Sequence, residues 1–167
     1  MKKQVFSLLV NNNTGLLSRV AGLFSRRGYN IDSITSGTTM NKSLTRITVV
    51  ATGDVQILSQ IEKQLAKLED VVDIKILKDG ESVCRELIML KVKANAAQRA
   101  EIVAVADIFR AKIVDVETES LMLEMTGNLS KVEAFQNLMS GYEILELART
   151  GITGLSRGAD GVFDTEA

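Results

Sequence analysis

The stretch QVFSLLVNNNTGLLSRVAGLFSRRGYNI, residues 4–31, decides the fold. Its first part alternates between apolar and other residues, which places Phe6, Leu8 and Val10 on one face of a predicted strand. From Leu16 onward the apolar residues recur at helical spacing, which predicts a helix with one buried face. The period therefore changes from two to about 3.6 within a few residues, as in a strand followed directly by a helix.

Both ends of this predicted helix carry recognisable signals. The polar cluster Asn11–Gly15 is a turn that can cap the helix, and Gly28 is a typical left-handed stop. Backbone N–H groups at a helix N-terminus lack intrahelical partners and attract a carboxylate, and Gly15 lets a ligand approach the backbone closely. The amide of Asn12 can hydrogen-bond the carboxylate or the ammonium group of an amino acid. An ordinary capped turn is the alternative interpretation of this loop.

The alternation of strand and helix continues to about residue 77. The further predicted elements are an extended segment at 30–38, a strand through Thr45, Ile47 and Val49, a helix opened by Gly53 and Asp54, and a strand through Val72, Ile74 and Ile76. The order strand–helix–strand–strand–helix–strand is that of a ferredoxin-like, split βαβ unit.

The same order repeats in the second half of the chain. Its predicted elements are a strand at 87–94, a helix opened by a capping box of Asn95 and Gln98, strands at 112–116 and 121–125, a helix opened by a capping box of Ser130 and Glu133, and a strand at 143–148. We therefore predict an α+β chain of two ferredoxin-like βαββαβ domains in tandem, at residues 1–78 and 84–158. Residues 79–83 form the linker and residues 159–167 a tail.

The composition of the 167 residues excludes several classes of function. There is no His and a single Cys, so His-based catalytic triads, His metal sites and internal disulfides are excluded. With 20 Lys and Arg against 21 Asp and Glu, no charge imbalance favours nucleic acid or an anionic membrane. We find no signal peptide and no apolar run of the roughly 20 residues that span a bilayer, and we expect a cytoplasmic protein.

Three classes of function suit a ferredoxin-like scaffold. RNA recognition needs aromatic residues on the central strands, but aromatics make up only 4% of the chain. A hydrolase of the acylphosphatase type needs an Arg in the phosphate loop, and 11–15 contains none; no convergent acid–base set is visible, so we predict no catalytic residues and no metal site. Binding of a small ligand is the interpretation that uses the loop.

The first strand is apolar on both faces, since Val5 and Leu9 lie opposite Phe6, Leu8 and Val10. One layer of helices covers only one face of a sheet, so a second cover is required. We therefore predict an obligate homodimer.

A family resemblance sharpens this prediction. The pattern of Asn12, Gly15, Leu17, Arg19 and Val20, continued by LFSRRGYNI at 23–31, closely resembles the ACT domain of the acetolactate (acetohydroxyacid) synthase small subunit. The tail LARTGITGLSRG at 147–158 is similar to the end of that family's C-terminal domain. The resemblance covers residues 2–158. Thr14 stands where many relatives carry Pro or Ser, which alters the stiffness of the loop.

The resemblance implies a regulatory subunit without synthase activity of its own. Such a subunit activates a thiamine-diphosphate-dependent catalytic subunit and confers feedback inhibition by a branched-chain amino acid, usually valine. Thiamine diphosphate, Mg and FAD are then expected on the catalytic subunit, with no cofactor in this chain. The alternative is a free-standing ACT-type amino-acid sensor with another target.

The resemblance also implies an effector site at the interface of a dimer. By matched position, one chain contributes Asn12, Gly15, Leu16 and Leu17, and the other contributes Asn30 and Ile31. The segment 149–158 carries three glycines and two arginines; as a flexible terminal loop, it is also a candidate for docking to the catalytic subunit.

Overall fold

The computed structural model describes residues 1–159, and these form two compact units. The first unit contains residues 1–83 together with residues 152–159, and the second contains Cys84–Gly151. The sequence predicts one domain at 84–158, and the structure differs at residues 152–158, which belong to the first unit. The predicted tail at 159–167 lies outside the described residues except for its first residue.

The first unit has the predicted element order. Its elements are β1 (Lys2–Asn11), α1 (Leu16–Arg26), β2 (Ile31–Thr38), β3 (Leu44–Gly53), α2 (Val55–Ala66) and β4 (Val71–Leu77). The sheet order is β2-β3-β1-β4 and each neighbouring pair is antiparallel, which confirms the ferredoxin-like fold. The edge strands β2 and β4 each have one neighbour in this sheet.

Both helices of the first unit pack on one face of its sheet. A single apolar cluster fills the space between helices and sheet. It consists of the buried side chains of α1 and α2 and of the alternating residues of β1 and β3 that point toward them. The members of β1 are Phe6, Leu8 and Val10, as the alternation predicted. Burial of these large side chains stabilises the fold by roughly 1.5–3 kcal/mol each.

Gly28 ends α1 in the predicted way. Its φ is +69°, in the left-handed region that only glycine enters without strain. The N–H of Gly28 donates to the carbonyl of Ser25 at 3.2 Å, and the N–H of Tyr29 donates to that of Phe24 at 2.9 Å. This pair of bonds is a Schellman motif, which satisfies carbonyls that the helix end would leave free.

The second unit repeats the order of the first. Its elements are β5 (Ser82–Lys93), α3 (Ala96–Phe109), β6 (Lys112–Val116), β7 (Ser120–Gly127), α4 (Leu129–Met139) and β8 (Ile144–Arg149). The sheet order β6-β7-β5-β8 is the same permutation of strands as in the first unit. Strand β5 begins at Ser82, inside the predicted linker and before the predicted start at Leu87.

The two predicted capping boxes differ in outcome. That of Asn95 and Gln98 is confirmed, with each side chain bonded to the other residue's backbone. That of Ser130 and Glu133 is wrong, because the cap is Asn128, whose Oδ1 accepts from the N–H of Lys131 at 2.9 Å. Ser130 is already helical, and its hydroxyl donates to the same Oδ1 at 3.0 Å.

The segment after β8 is ordered, although the sequence predicted a flexible loop at 149–158. Residues Thr153–Ser156 form a short strand, β9, which pairs with β5, the strand on which the boundary between the units falls. Ile152 is only 7% exposed. Its N–H donates to the hydroxyl of Ser33, and its carbonyl accepts from that of Thr35, each at 3.4 Å.

These contacts place Ile152 on the face of the first sheet that the helices leave open. Ser33 and Thr35 pair with Val50 and Thr48 of β3, whose neighbours in sequence belong to the helix-side core. Leu9 and Val50, on this second face, are already buried within the single chain. The prediction of a homodimer assumed that this face needs a cover from a second chain. Since the single chain already buries part of the face, that argument for a dimer is weakened, and other observations have to support it.

None of the helices within residues 1–159 is both long enough and apolar enough to cross a lipid bilayer.

Candidate functional site

The loop between β1 and α1 is tied to the backbone of two neighbouring segments. The N–H of Asn11 donates to the carbonyl of Asp70 at 2.8 Å, and that of Asn12 donates to the carbonyl of Ser43 at 2.8 Å. The side-chain amide of Asn12 donates to the carbonyl of Lys42 at 3.2 Å. Asn12 is exposed, and its amide oxygen, which accepts no hydrogen bond from residues 1–159, can accept one from an ammonium group.

Gly15 is the residue that opens α1. It occupies the N-cap position with φ +81°, and no side chain caps the helix there. The predicted capping of this helix by the polar cluster is therefore wrong, because no Asn or Thr side chain caps it. The first-turn amides of Leu17 and Ser18 have no intrahelical carbonyl to bind. Such N–H groups at the positive end of a helix dipole suit a carboxylate.

The two leucines at the start of α1 have different environments. Leu16 is 5% exposed and belongs to the core cluster, whereas Leu17 is 49% exposed. Ile31 is half-buried and packs against the same core. The apolar surface that this end of the helix offers to a ligand is therefore mainly that of Leu17.

Asn30 and Ile31 lie far from the loop within one chain. Ile31 pairs with Ala51 of β3, whereas Asn11 pairs with Leu44 at the other end of that strand. The seven residue steps from Leu44 to Ala51, at about 3.4 Å each, separate the two groups by roughly 24 Å. One chain therefore brings Asn12, Gly15 and Leu17 together but holds Asn30 and Ile31 at the opposite end of the sheet.

A carboxylate that the sequence analysis missed lies beside the loop. Asp70, between α2 and β4, is 9% exposed. Its Oδ1 accepts from the amide of Asn13 at 2.7 Å, and its Oδ2 forms an ion pair with the guanidinium of Arg19. The hydrogen bond from Asn13, followed by that from Arg19, holds the pKa of Asp70 below its ordinary value of 3.8.

These groups border a cavity of about 290 Å³ at the N-terminus of α1. It is lined by Asn13, Leu16, Arg19, Leu68, Glu69 and Asp70. A Cβ atom at Gly15 would lie 3.5 Å from Nη1 of Arg19, so the cation is close to the helix start as well. The one sequence signal for Asp70 is a charged residue directly before the apolar run of β4, and its partners are more than 50 residues away in sequence.

Two family models match the chain in consecutive segments. One, described as the AHAS small subunit-like ACT domain, matches residues 6–73, and the other, described as the small subunit of acetolactate synthase, matches residues 85–158. The candidate loop and its carboxylate partner both fall within the first of these segments.

Curated relatives resemble the chain over almost its whole length. A probable acetolactate synthase small subunit of Methanothermobacter thermautotrophicus is 46% identical over 93% of this chain and 93% of that protein. That of Archaeoglobus fulgidus is 47% identical over 93% of this chain and 98% of the relative. The acetolactate synthase small subunit of Mycolicibacterium smegmatis is 44% identical, over 93% and 92%.

A solved structure carries the same fold. The crystal structure of the acetolactate synthase small subunit from Thermotoga maritima matches with a TM-score of 0.87 at 40% sequence identity. The match covers 96% of this chain and 100% of that one.

Proposed function

We propose that this chain, which belongs to the family of acetolactate synthase small subunits, binds a free branched-chain amino acid and thereby controls its catalytic subunit. Membership supports a regulatory role and a partnership with a catalytic subunit. The proposal adds activation of that subunit and feedback inhibition, with valine as the first candidate effector. It assigns thiamine diphosphate, Mg and FAD to the catalytic subunit.

The observation that carries the proposal is the uncapped start of α1. Gly15 leaves the amides of Leu17 and Ser18 open to an anion, and Asn12 lies in the same loop. An amino acid offers a carboxylate for the amides, an ammonium group for the Asn12 oxygen and a branched side chain for Leu17. A single site of this kind recognises all three parts of a small zwitterion.

The separation of Asn30 and Ile31 from the loop supports a site made by two copies. Strand β2 is an edge of its sheet, and a two-fold axis through that edge would pair it antiparallel with its own copy. The start of the partner's β2 would then lie at the end of the sheet where β1 ends and α1 begins. The proposed homodimer thus brings Asn30 and Ile31 of one copy toward the loop of the other.

Control of the catalytic subunit follows from linkage. If the effector favours one arrangement of the dimer and the catalytic subunit favours another, each alters the affinity of the other by the same factor. Couplings of this kind are typically about 1–3 kcal/mol, or roughly 5- to 150-fold. The binding free energies of valine, leucine and isoleucine in such a pocket differ by only about 1–3 kcal/mol.

A reconstitution assay tests this function. The catalytic subunit is assayed for acetolactate formation alone, with this chain, and with this chain plus each branched-chain amino acid. We expect the rate to rise when the chain is added and to fall again with valine, while valine leaves the catalytic subunit alone unaffected. An unchanged rate on addition of the chain would contradict the regulatory pairing, and activation that no branched-chain amino acid reverses would contradict feedback.

A further inference from the structure

The carboxylate of Asp70 connects the two sides of the uncapped helix start. Asn13, bonded to Oδ1 at 2.7 Å, comes two residues before Gly15. Arg19, paired with Oδ2, comes four residues after it, and its backbone N–H donates to the carbonyl of Gly15 at 3.0 Å. The backbone carbonyl of Asp70 also accepts from Asn11. One residue therefore fixes the loop before Gly15 and the first turn after it.

We propose that Asp70 is a positioning residue for effector binding: it holds the Asn12–Gly15 loop in the conformation in which the first-turn amides of α1 face an amino-acid carboxylate. This inference rests on the proposed function. It assigns no direct contact between Asp70 and the effector. The residue acts through Asn13 and Arg19.

The hydrogen bonds of Asn12 to Lys42 and Ser43 hold the start of the loop, and the half of the loop next to Gly15 needs a further anchor. That half is polar, and Gly15 has access to many backbone conformations, of which the observed one has φ +81°. Ordering a residue costs conformational entropy. If this entropy is already lost when the protein folds, it does not have to be lost when the effector binds, and the affinity for the effector is higher.

The energetics of the cluster suit this role. Both oxygens of Asp70 accept hydrogen bonds from other segments, and hydrogen bonds to a charged group are stronger than those between neutral groups. The side chain of Arg19 is 47% exposed, so the Coulomb attraction itself is screened, and the carboxylate is 12% exposed. The contribution is thus mainly the geometry that two hydrogen bonds impose on the loop.

Glu69 provides a matched control. It lines the same cavity and carries the same charge, but it is exposed and makes no hydrogen bond to the loop within the described residues. Asp70→Asn and Glu69→Gln remove the same charge with almost no change in shape. Only the first removes the connection across Gly15.

Two measurements on the full chain test the inference. The first is hydrogen exchange at the bonded amides of Asn11 and Arg19. The second is the valine concentration for half-inhibition of the reconstituted enzyme, together with the maximal inhibition at saturation. For Asp70→Asn we expect faster exchange at both amides and a half-inhibition concentration raised about tenfold, as when the competent loop population falls to about a tenth. Maximal inhibition should stay at the wild-type level, because saturating valine restores the loop.

The controls separate positioning from other causes. Glu69→Gln should behave as wild type in both measurements. Asn13→Ala changes an exposed residue and should reproduce part of the effect of Asp70→Asn. Asn13→Ala combined with Asp70→Ala should cost no more than Asp70→Ala alone, because Asp70→Ala already removes the bond to Asn13.

Three results would overturn the inference. These are unchanged exchange and half-inhibition in Asp70→Asn, an equal loss in Glu69→Gln, or a loss of maximal inhibition that reports general damage. If the wild-type complex ignores every branched-chain amino acid, the proposed function fails. Hydrogen exchange then still decides whether Asp70 orders the loop.

Discussion

At the scale of single residues, two positions shape the start of α1: Gly15 opens the helix, and Asp70 bonds to residues on both sides of Gly15. Gly15 was singled out for close approach to the backbone, and the structure gives it φ +81° and an uncapped helix start. Asn30 and Ile31 carry no local sign that they lie at the far end of the sheet, because that follows from strand register. Asp70 was missed because its partners are distant in sequence and only the fold brings them together.

A pair of substitutions at Gly15 tests the anion site. Asparagine and aspartate have nearly the same shape, and both tolerate a positive φ better than other residues. Gly15→Asp places a carboxylate beside the effector's own, and like charges in contact cost several kcal/mol. We expect calorimetry to detect no valine binding by Gly15→Asp and weakened binding by Gly15→Asn. Equal affinities of the two variants would show that charge at this position is irrelevant, and wild-type affinity in Gly15→Asp would refute the site.

The partner of Arg149 could not be predicted from the sequence either, because it lies 63 residues away along the chain. Its guanidinium makes a two-pronged pair with Glu86, at 2.7 Å from Nε and 2.9 Å from Nη2, and the side chain of Glu86 is 3% exposed. The bond to Glu86 raises the pKa of Arg149. A docking segment that begins at 149 would therefore have to give up a pair within the second unit.

At the scale of helices and strands, periodicity predicts the existence and type of the elements in both ferredoxin-like units. The errors lie where hydrogen bonds to specific atoms, or pairing with distant strands, decide the boundary. The observed cap of α4, Asn128, lies two residues before the predicted cap, Ser130, and only the geometry of the Lys131 amide distinguishes them. β5 begins in a polar segment, and β9 has only four residues, so neither boundary has a local apolar pattern.

The corrected cap of α4 leads to a stability prediction. Asn128→Ala removes the acceptor of the Lys131 amide and should lower the free energy of unfolding by about 1 kcal/mol, the usual cost of losing a side-chain cap. Ser130→Ala should cost less than half as much, since its hydroxyl only donates to the cap. Denaturant unfolding of both variants measures the difference. A larger loss in Ser130→Ala would reinstate the capping box that the sequence suggested.

At the scale of the whole molecule, the repeated strand–helix order predicts two ferredoxin-like units, and the strand orders confirm them. The return of the chain from Ile152 to the first unit could not be predicted, because its contacts with Ser33 and Thr35 join positions more than 100 residues apart. The same contacts show why sequence alternation alone is weak evidence for a dimer. The proposed dimer rests instead on the family resemblance, which assigns Asn30 and the Gly15 loop to one effector site although a single chain holds them apart.

Co-crystallisation with L-valine tests the central claim most directly. We predict electron density for the amino acid with its carboxylate on the amides of Leu17 and Ser18 of one copy and with Asn30 of a second copy in contact. Valine bound by residues of one copy alone, or an empty cleft at a concentration that inhibits the reconstituted enzyme, would contradict it.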